Sequence, residues 1–299
     1  MIYTVTLNPA LDYVLSAKTI LPGQVNRASK ADMTFGGKGI NQSIMLRNLG
    51  VPSRALGFAG GYTGQKLRRL LFEAGLQHDL IEISGETRIN VKLRGQQETE
   101  INTAGPAVRP TEMQELIEQM GELSAGDVLS MGGSVPAGLP KSILRDLLQA
   151  VPQGVFTVVD ADGEALEKAL QAAPDLIKPN IHEGAALLGM EASAENAESI
   201  CRGLQKKGAK NVLLSMGGDG AALLWGDDYY VMNAPAGQVK GTTGAGDSLL
   251  AGFLAGLDGG RDPAGALHLA IAAGSATAFA GELAQKKTVE IVENLMRMR

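Results

Sequence analysis

Short apolar runs alternate with amphipathic stretches along the whole chain, and the alternation predicts strands separated by helices. TVTL (Thr4 to Leu7), Arg54 to Phe58, DVLSM, VFTVVD and NVLLSM are compact aliphatic runs of strand length. Between them, apolar positions return at helical spacing, as in Ile40 to Leu49, which Gly50 and Pro52 stop, and Gln65 to Ala74, which Gly75 ends. Strands alternating with helices imply βαβ units, hence an α/β fold with a Rossmann-like, mostly parallel sheet flanked by helices. Two stretches break the rhythm. Tyr13 to Thr34 and Thr87 to Thr103 carry strand patterns with no crossover helix between them. TRINVKL, then GQQ, then ETEINT reads as a hairpin with Gly95 in the turn. These segments (about 13–34 and 87–103) are expected to form small antiparallel pairs, a β lid inserted in one domain spanning 1–299. From Asp262 an Ala/Gly-rich helix is followed by a basic one to Arg299.

Composition narrows the function. The 299 residues are 44% hydrophobic and 20% charged, enough to bury a full core. The net charge of −5, with no long Lys/Arg run, argues against nucleic acid or an anionic membrane as partner. One cysteine, Cys201, excludes an intrachain disulfide framework and is expected to be a buried structural thiol. The N-terminus has neither the basic nor the apolar segment of a signal peptide, so a soluble, cytoplasmic protein is expected. His78, His182 and His268 show no metal-ligand spacing.

The glycines cluster where chemistry is needed. Gly241 to Asp247 (GTTGAGD) runs directly into the apolar segment SLLAGFLAGL. Small residues let backbone N–H groups converge, and the following helix adds its positive end, so this run can form an anion hole. A carboxylate there, Asp247, can accept a hydroxyl proton while the amides hold a moving phosphoryl group; it would equally serve as a plain helix cap. Phe35 to Asn41 (FGGKGIN) opens a second helix, with Lys38 as a point charge and Asn41 as an amide, or else forms a glycine turn with a solvated lysine. It is not a Walker A loop, because Gly39 follows the lysine. In KPNIHE, Asn180 and Glu183 lie three apart at a helix start, suited to holding metal-bound water or to a capping box. Ser215 to Gly220 (SMGGDG) is a hairpin turn or a nucleotide loop. Arg88 and Lys92 alternate on TRINVKL and point the same way, toward a sugar phosphate or toward solvent.

Together these runs resemble the PfkB (ribokinase-like) family of carbohydrate kinases over nearly the whole chain. Gly36 to Asn41 matches the family's N-terminal signature and Thr242 to Asp247 its C-terminal one, in the right order and separation. TLNPALD, Lys38 within the glycine run, TRINVKL and KPNxxE resemble the branch holding 1-phosphofructokinase and tagatose-6-phosphate kinase. The resemblance implies Asp247 as general base beside the anion hole of Gly244, Ala245 and Gly246. It implies Asp12, with Gly37 and Asn41, on the sugar hydroxyls, and Lys38 and Arg88 on the phosphate the substrate already carries. Arg27 is expected to help, from a partner in a dimer formed through the lids. Lys178, Asn180, Glu183, Ser215, Gly217 and Gly220 would serve ATP and Mg²⁺, with Glu183 reaching the metal through water. The implied reaction is phosphorylation of a ketohexose phosphate, first fructose 1-phosphate to fructose 1,6-bisphosphate, second tagatose 6-phosphate. A non-catalytic sugar-phosphate sensor is the contrasting reading, which an intact Asp247 opposes. Two segments depart from the relatives: Ala161-Asp162-Gly163 replaces a Ser-rich turn, and SATAFAGELAQ lacks the expected Asn.

Overall fold

A computed structural model describes residues 1–96 and 98–297. The chain begins with β1 (Ile2–Thr6), β2 (Ala10–Ser16), β3 (Lys30–Gly36), α1 (Lys38–Leu49), β4 (Ser53–Ala59), α2 (Gly61–Glu73), β5 (Gln77–Glu82), β6 (Arg88–Arg94) and β7 (Glu98–Ile101). There follow α3 (Pro110–Gly121), β8 (Val128–Gly132), α4 (Ile143–Ala150), β9 (Phe156–Asp160), α5 (Gly163–Leu170), β10 (Leu176–Ile177), α6 (Ile181–Leu188) and α7 (Ala197–Lys206). The last elements are β11 (Asn211–Ser215), β12 (Ala221–Trp225), β13 (Asp228–Met232), α8 (Ala245–Asp258), α9 (Pro263–Ala280) and α10 (Lys286–Arg297).

Nine strands form one sheet in the order β13-β12-β11-β10-β9-β8-β1-β4-β5. All its pairings are parallel except β11–β12 and β12–β13, as the alternation predicts. Buried side chains of α3 to α7 pack on one face. Those of α1, α8, α9 and α10 pack on the other. Strands buried on both faces must be near-continuously apolar, which is why the aliphatic runs were so legible.

Helix α9 is long and apolar enough to cross a membrane, yet more than half of that stretch is buried against the protein. Its Ala/Gly content has a packing reason. A methyl group added at Gly252 or Gly256 of α8 would lie 2.8 Å from Ala273 Cβ or 2.7 Å from Ala266 Cα. The two helices therefore approach too closely for larger side chains.

The second sheet has the order β3-β2-β6-β7. Its outer pairs are antiparallel, but β2 and β6 run parallel, so the small sheet is mixed and not a set of antiparallel pairs as expected. It is also wider than residues 13–34 suggest, because Ala10 already pairs with Gly36. The β6–β7 turn includes Gln97, which lies outside the described residues, as do Met298 and Arg299 of the expected C-terminal helix. Register aligns Met33, Tyr13, Val91 and Ile101 in one row across this sheet. Asp12 and Asn90 oppose each other on the other face.

Candidate active site

The first glycine run pins α1 to the end of β1. Gly37 adopts φ 126°, a left-handed-side value that a side chain resists. At Gly39 a Cβ would stand 2.6 Å from Thr6 Oγ1, the atom that accepts the Ile40 N–H at 3.1 Å. The second run works alike. Gly244 (φ 78°) turns the chain into α8, whose third residue is Asp247. Asp247 makes no capping bond, contrary to the plain-cap reading. Instead its Oδ2 accepts a hydrogen bond of 2.7 Å from Asn41 Nδ2, which brings the two sequence signatures together.

Asp247 is buried. Burial, reinforced by the negative charge of Asp160, lifts its pKa from 3.8 to about 6, against the pull of Asn41, Lys178 and Lys38. Around it, among the described residues, the N–H groups of Gly244, Gly246 and Asp247 have no hydrogen-bond acceptor. The Ala245 N–H differs from expectation in donating to Thr242 O at 3.1 Å.

Asp160, at the end of β9, ties the cations together, and the motifs did not point to it. Its Oδ1 lies 2.8 Å from Lys38 Nζ and 3.2 Å from Lys178 Nζ. Its Oδ2 accepts from Gln42 Nε2 at 3.4 Å, and Gln42 is held in turn by Ser130. Burial opposes ionisation of Asp160, but the two lysines outweigh it and hold the carboxyl below the usual aspartate value. Burial likewise works against the Lys38 ammonium, and the Asp160 charge and hydrogen bond overcome it, leaving Lys38 above the usual lysine value. A Cβ at Gly246 would stand 3.5 Å from Lys178 Nζ, so this lysine borders the anion hole. The available signal was an aspartate ending a fully apolar central strand, a place where a charge persists only with partners.

Asp12 sits buried on the small sheet, against Gly36, where a Cβ would come within 2.6 Å of its Oδ1. Asn90 Nδ2 donates to Asp12 Oδ1 at 3.1 Å, and Lys92 Nζ lies 2.7 Å from Oδ2. Lys92 therefore shares the face expected of it but is engaged by Asp12. Arg88 donates to Asn8 O at 3.1 Å and to Thr103 O at 3.0 Å. Burial lowers its pKa, with the Asp12 charge working the other way. Arg27 is exposed on the loop between β2 and β3 and joins none of these contacts.

Asn180 and Glu183 form the capping box: Glu183 N donates to Asn180 Oδ1 at 2.9 Å and Asn180 N to Glu183 Oε2 at 2.8 Å. Among the described residues, the box engages Glu183 through Oε2 and leaves Oε1 without a hydrogen-bond donor. No group of three metal-ligating side chains occurs among the described residues. A single spare carboxylate oxygen fits a Mg²⁺ that keeps most of its waters, not an all-protein cage. Ser215 to Gly220 joins antiparallel β11 and β12, as a hairpin turn does, and its residues line a cleft of about 650 Å³. Asn180, Ser215, Gly217 and Gly220 stand along this cleft, which extends to Thr242, Ala245 and Gly246. Its apolar wall includes Phe279 over Gly237, both missed by motif reading.

Comparison with known proteins agrees with this geometry. The chain is 41% identical to the 1-phosphofructokinase of Bacillus subtilis, over 99% of this chain and 97% of the relative. It is 36% identical to a D-tagatose-1-phosphate kinase of Bacillus licheniformis, over 93% of each. The crystal structure of Escherichia coli phosphofructokinase-2 with fructose-6-phosphate matches with a TM-score of 0.93 at 28% identity, over 99% of both chains. The model of the pfkB family carbohydrate kinases matches residues 5–287, a span that holds both glycine runs and the residues lining the cleft, and the chain belongs to that family.

Proposed function

We propose that the protein transfers the γ-phosphoryl group of ATP to the primary hydroxyl of a ketohexose 1-phosphate, with fructose 1-phosphate as first substrate and fructose 1,6-bisphosphate as product. The observation that carries this is Asp247: a buried carboxylate lifted toward neutral pH, beside unpaired amides, at the end of a nucleotide-sized cleft. Asp247 accepts the hydroxyl proton as the sugar oxygen attacks the γ-phosphorus. The bond to the β–γ bridging oxygen breaks, and ADP leaves. The N–H groups of Gly244 and Gly246 receive the charge of the moving group, and Ala245 joins them when its bond to Thr242 yields.

Asp12, Gly37 and Asn41 hold the sugar hydroxyls, and Arg88 the ester phosphate, with Arg27 reaching it from a second copy. Lys38, first assigned to that phosphate, is better suited to the transferring group, because it shares Asp160 with Lys178 at Gly246. Lys178, Asn180, Ser215, Gly217 and Gly220 bind ATP, and Glu183 holds Mg²⁺ through water. When bound, the ion neutralises polyphosphate charge.

The half-exposed row of Met33, Tyr13, Val91 and Ile101 supports a homodimer through the lids, in a cytoplasmic enzyme. A tagatose ester is the second reading, favoured by the relative named for tagatose 1-phosphate; tagatose 6-phosphate would present its C1 hydroxyl instead. A sensor has no use for a base so placed. The test is ADP release with ATP and Mg²⁺ against fructose 1-phosphate, tagatose 1-phosphate, tagatose 6-phosphate, fructose 6-phosphate and fructose. Preference for a ketose 1-phosphate is expected. Turnover of free fructose alone, or binding with no ADP from any acceptor, would contradict the proposal.

A further inference from the structure

We infer that Asp160 is a positioning residue for phosphoryl transfer: its one buried carboxylate holds Lys38 and Lys178 side by side at the anion hole, where both serve the group in flight. The inference rests on the reading of Asp247 as base and adds the device that surrounds it.

A buried ion pair that only stabilises a fold needs one cation for one anion. Here two ammonium groups converge on the same oxygen, Asp160 Oδ1, at 2.8 and 3.2 Å. The carboxylate itself has no exposure, and Lys178 has 6%. Three elements supply the parts: α1 gives Lys38, β9 gives Asp160, and the segment after β10 gives Lys178. Gln42, buried and bound to Ser130, fixes the remaining carboxylate oxygen, so the acceptor cannot rotate away from the lysines. Lys178 Nζ ends beside Gly246, whose N–H is unpaired.

Two lysines, Asp160 and an ionised Asp247 sum to zero. When Asp247 takes the substrate proton, the cluster becomes one unit positive at the moment the phosphoryl group passes. An environment that gains positive charge only then stabilises the transition state more than the bound substrates. Asp160 is what makes this balance possible. Without it, two neighbouring ammonium groups would repel each other and leave the position, because a buried unpaired charge is costly.

The charged groups facing Asp247 are Lys38, Asp160 and Lys178, with Asn41 as the neutral donor. Asp160 is the anion that acts most strongly on it, and removing it alters the titration of Asp247 in a way that loss of packing does not. The experiment is the pH profile of kcat for the wild type, Asp160→Asn and Lys38→Met, with folding checked by circular dichroism. The wild type should lose activity below about pH 6. In Asp160→Asn the acid limb should move down by about one pH unit, and kcat should fall about 100-fold, with the KM for the phosphosugar changed by less than about threefold. In Lys38→Met the limb should move the other way, upward, because a cation that favours ionised Asp247 is gone. A limb that stays in place in folded Asp160→Asn overturns the inference. If that variant does not fold, Lys38→Met decides alone, and an unmoved limb there overturns it equally. Failure of the underlying reading looks different: Asp247→Asn would then keep both its turnover and the acid limb.

Discussion

Asn41 Nδ2 stands 2.7 Å from Asp247 Oδ2, so the first turns of α1 and α8, 206 residues apart in sequence, meet at one hydrogen bond. The bond favours the ionised carboxylate, and it opposes the effects of burial and of Asp160. Asn41→Ala is therefore expected to raise the acid limb of kcat by about half a pH unit and to reduce kcat/KM by about tenfold or more. Initial rates across pH 5 to 8 check this.

A base kept in a buried site destabilises the fold. Asp247 has a folded value of about 6 against an ordinary 3.8, so the folded state holds its proton more tightly than the unfolded chain. Stability falls as pH rises from about 4 to 6 and levels off above that. Asp247→Asn, a neutral mimic, should be more stable by on the order of 2 kcal/mol at pH 8, and the gain should vanish near pH 4. Thermal melts at the two pH values report it as a rise in Tm of on the order of 5 °C at pH 8 only.

Arg88 is held by two backbone carbonyls, Asn8 O and Thr103 O, which orient the guanidinium without neutralising it. Arg88→Met should raise the KM for the phosphosugar by about 30-fold, the loss of one charge-assisted contact, while the KM for ATP changes little. Steady-state kinetics with each substrate varied in turn separate the two.

On the nucleotide side, Gly237 lets Phe279 close the wall of the cleft. A Cβ at Gly237 would stand 2.3 Å from the ring, so Gly237→Ala must displace it. The KM for ATP should rise by about tenfold with the phosphosugar KM unchanged, since losing packing in an apolar pocket costs about 1–2 kcal/mol.

Much of this architecture could be read from residues. The aliphatic strands announced the large sheet because both its faces are covered. Each glycine run marked a helix start where a Cβ would strike the neighbouring chain. The parallel pairing of β2 with β6 was hidden, because a short strand pattern carries no sign of the direction in which its neighbour runs. Asp160 was hidden for another reason. Its role lies in the convergence of Lys38 and Lys178, separated from it by 122 residues in one case, and no local motif encodes that convergence. Lys92 shows the same limit: alternation places it on the face of Arg88, but only the fold puts Asp12 within 2.7 Å of it.

The most direct measurement is turnover of Asp247→Asn with ATP and fructose 1-phosphate, alongside the affinity of the same variant for both ligands by calorimetry. The account predicts a kcat lower by several orders of magnitude, with both dissociation constants within about threefold of wild type. Near-normal turnover in that variant would contradict it, and would remove Asp247 from the chemistry.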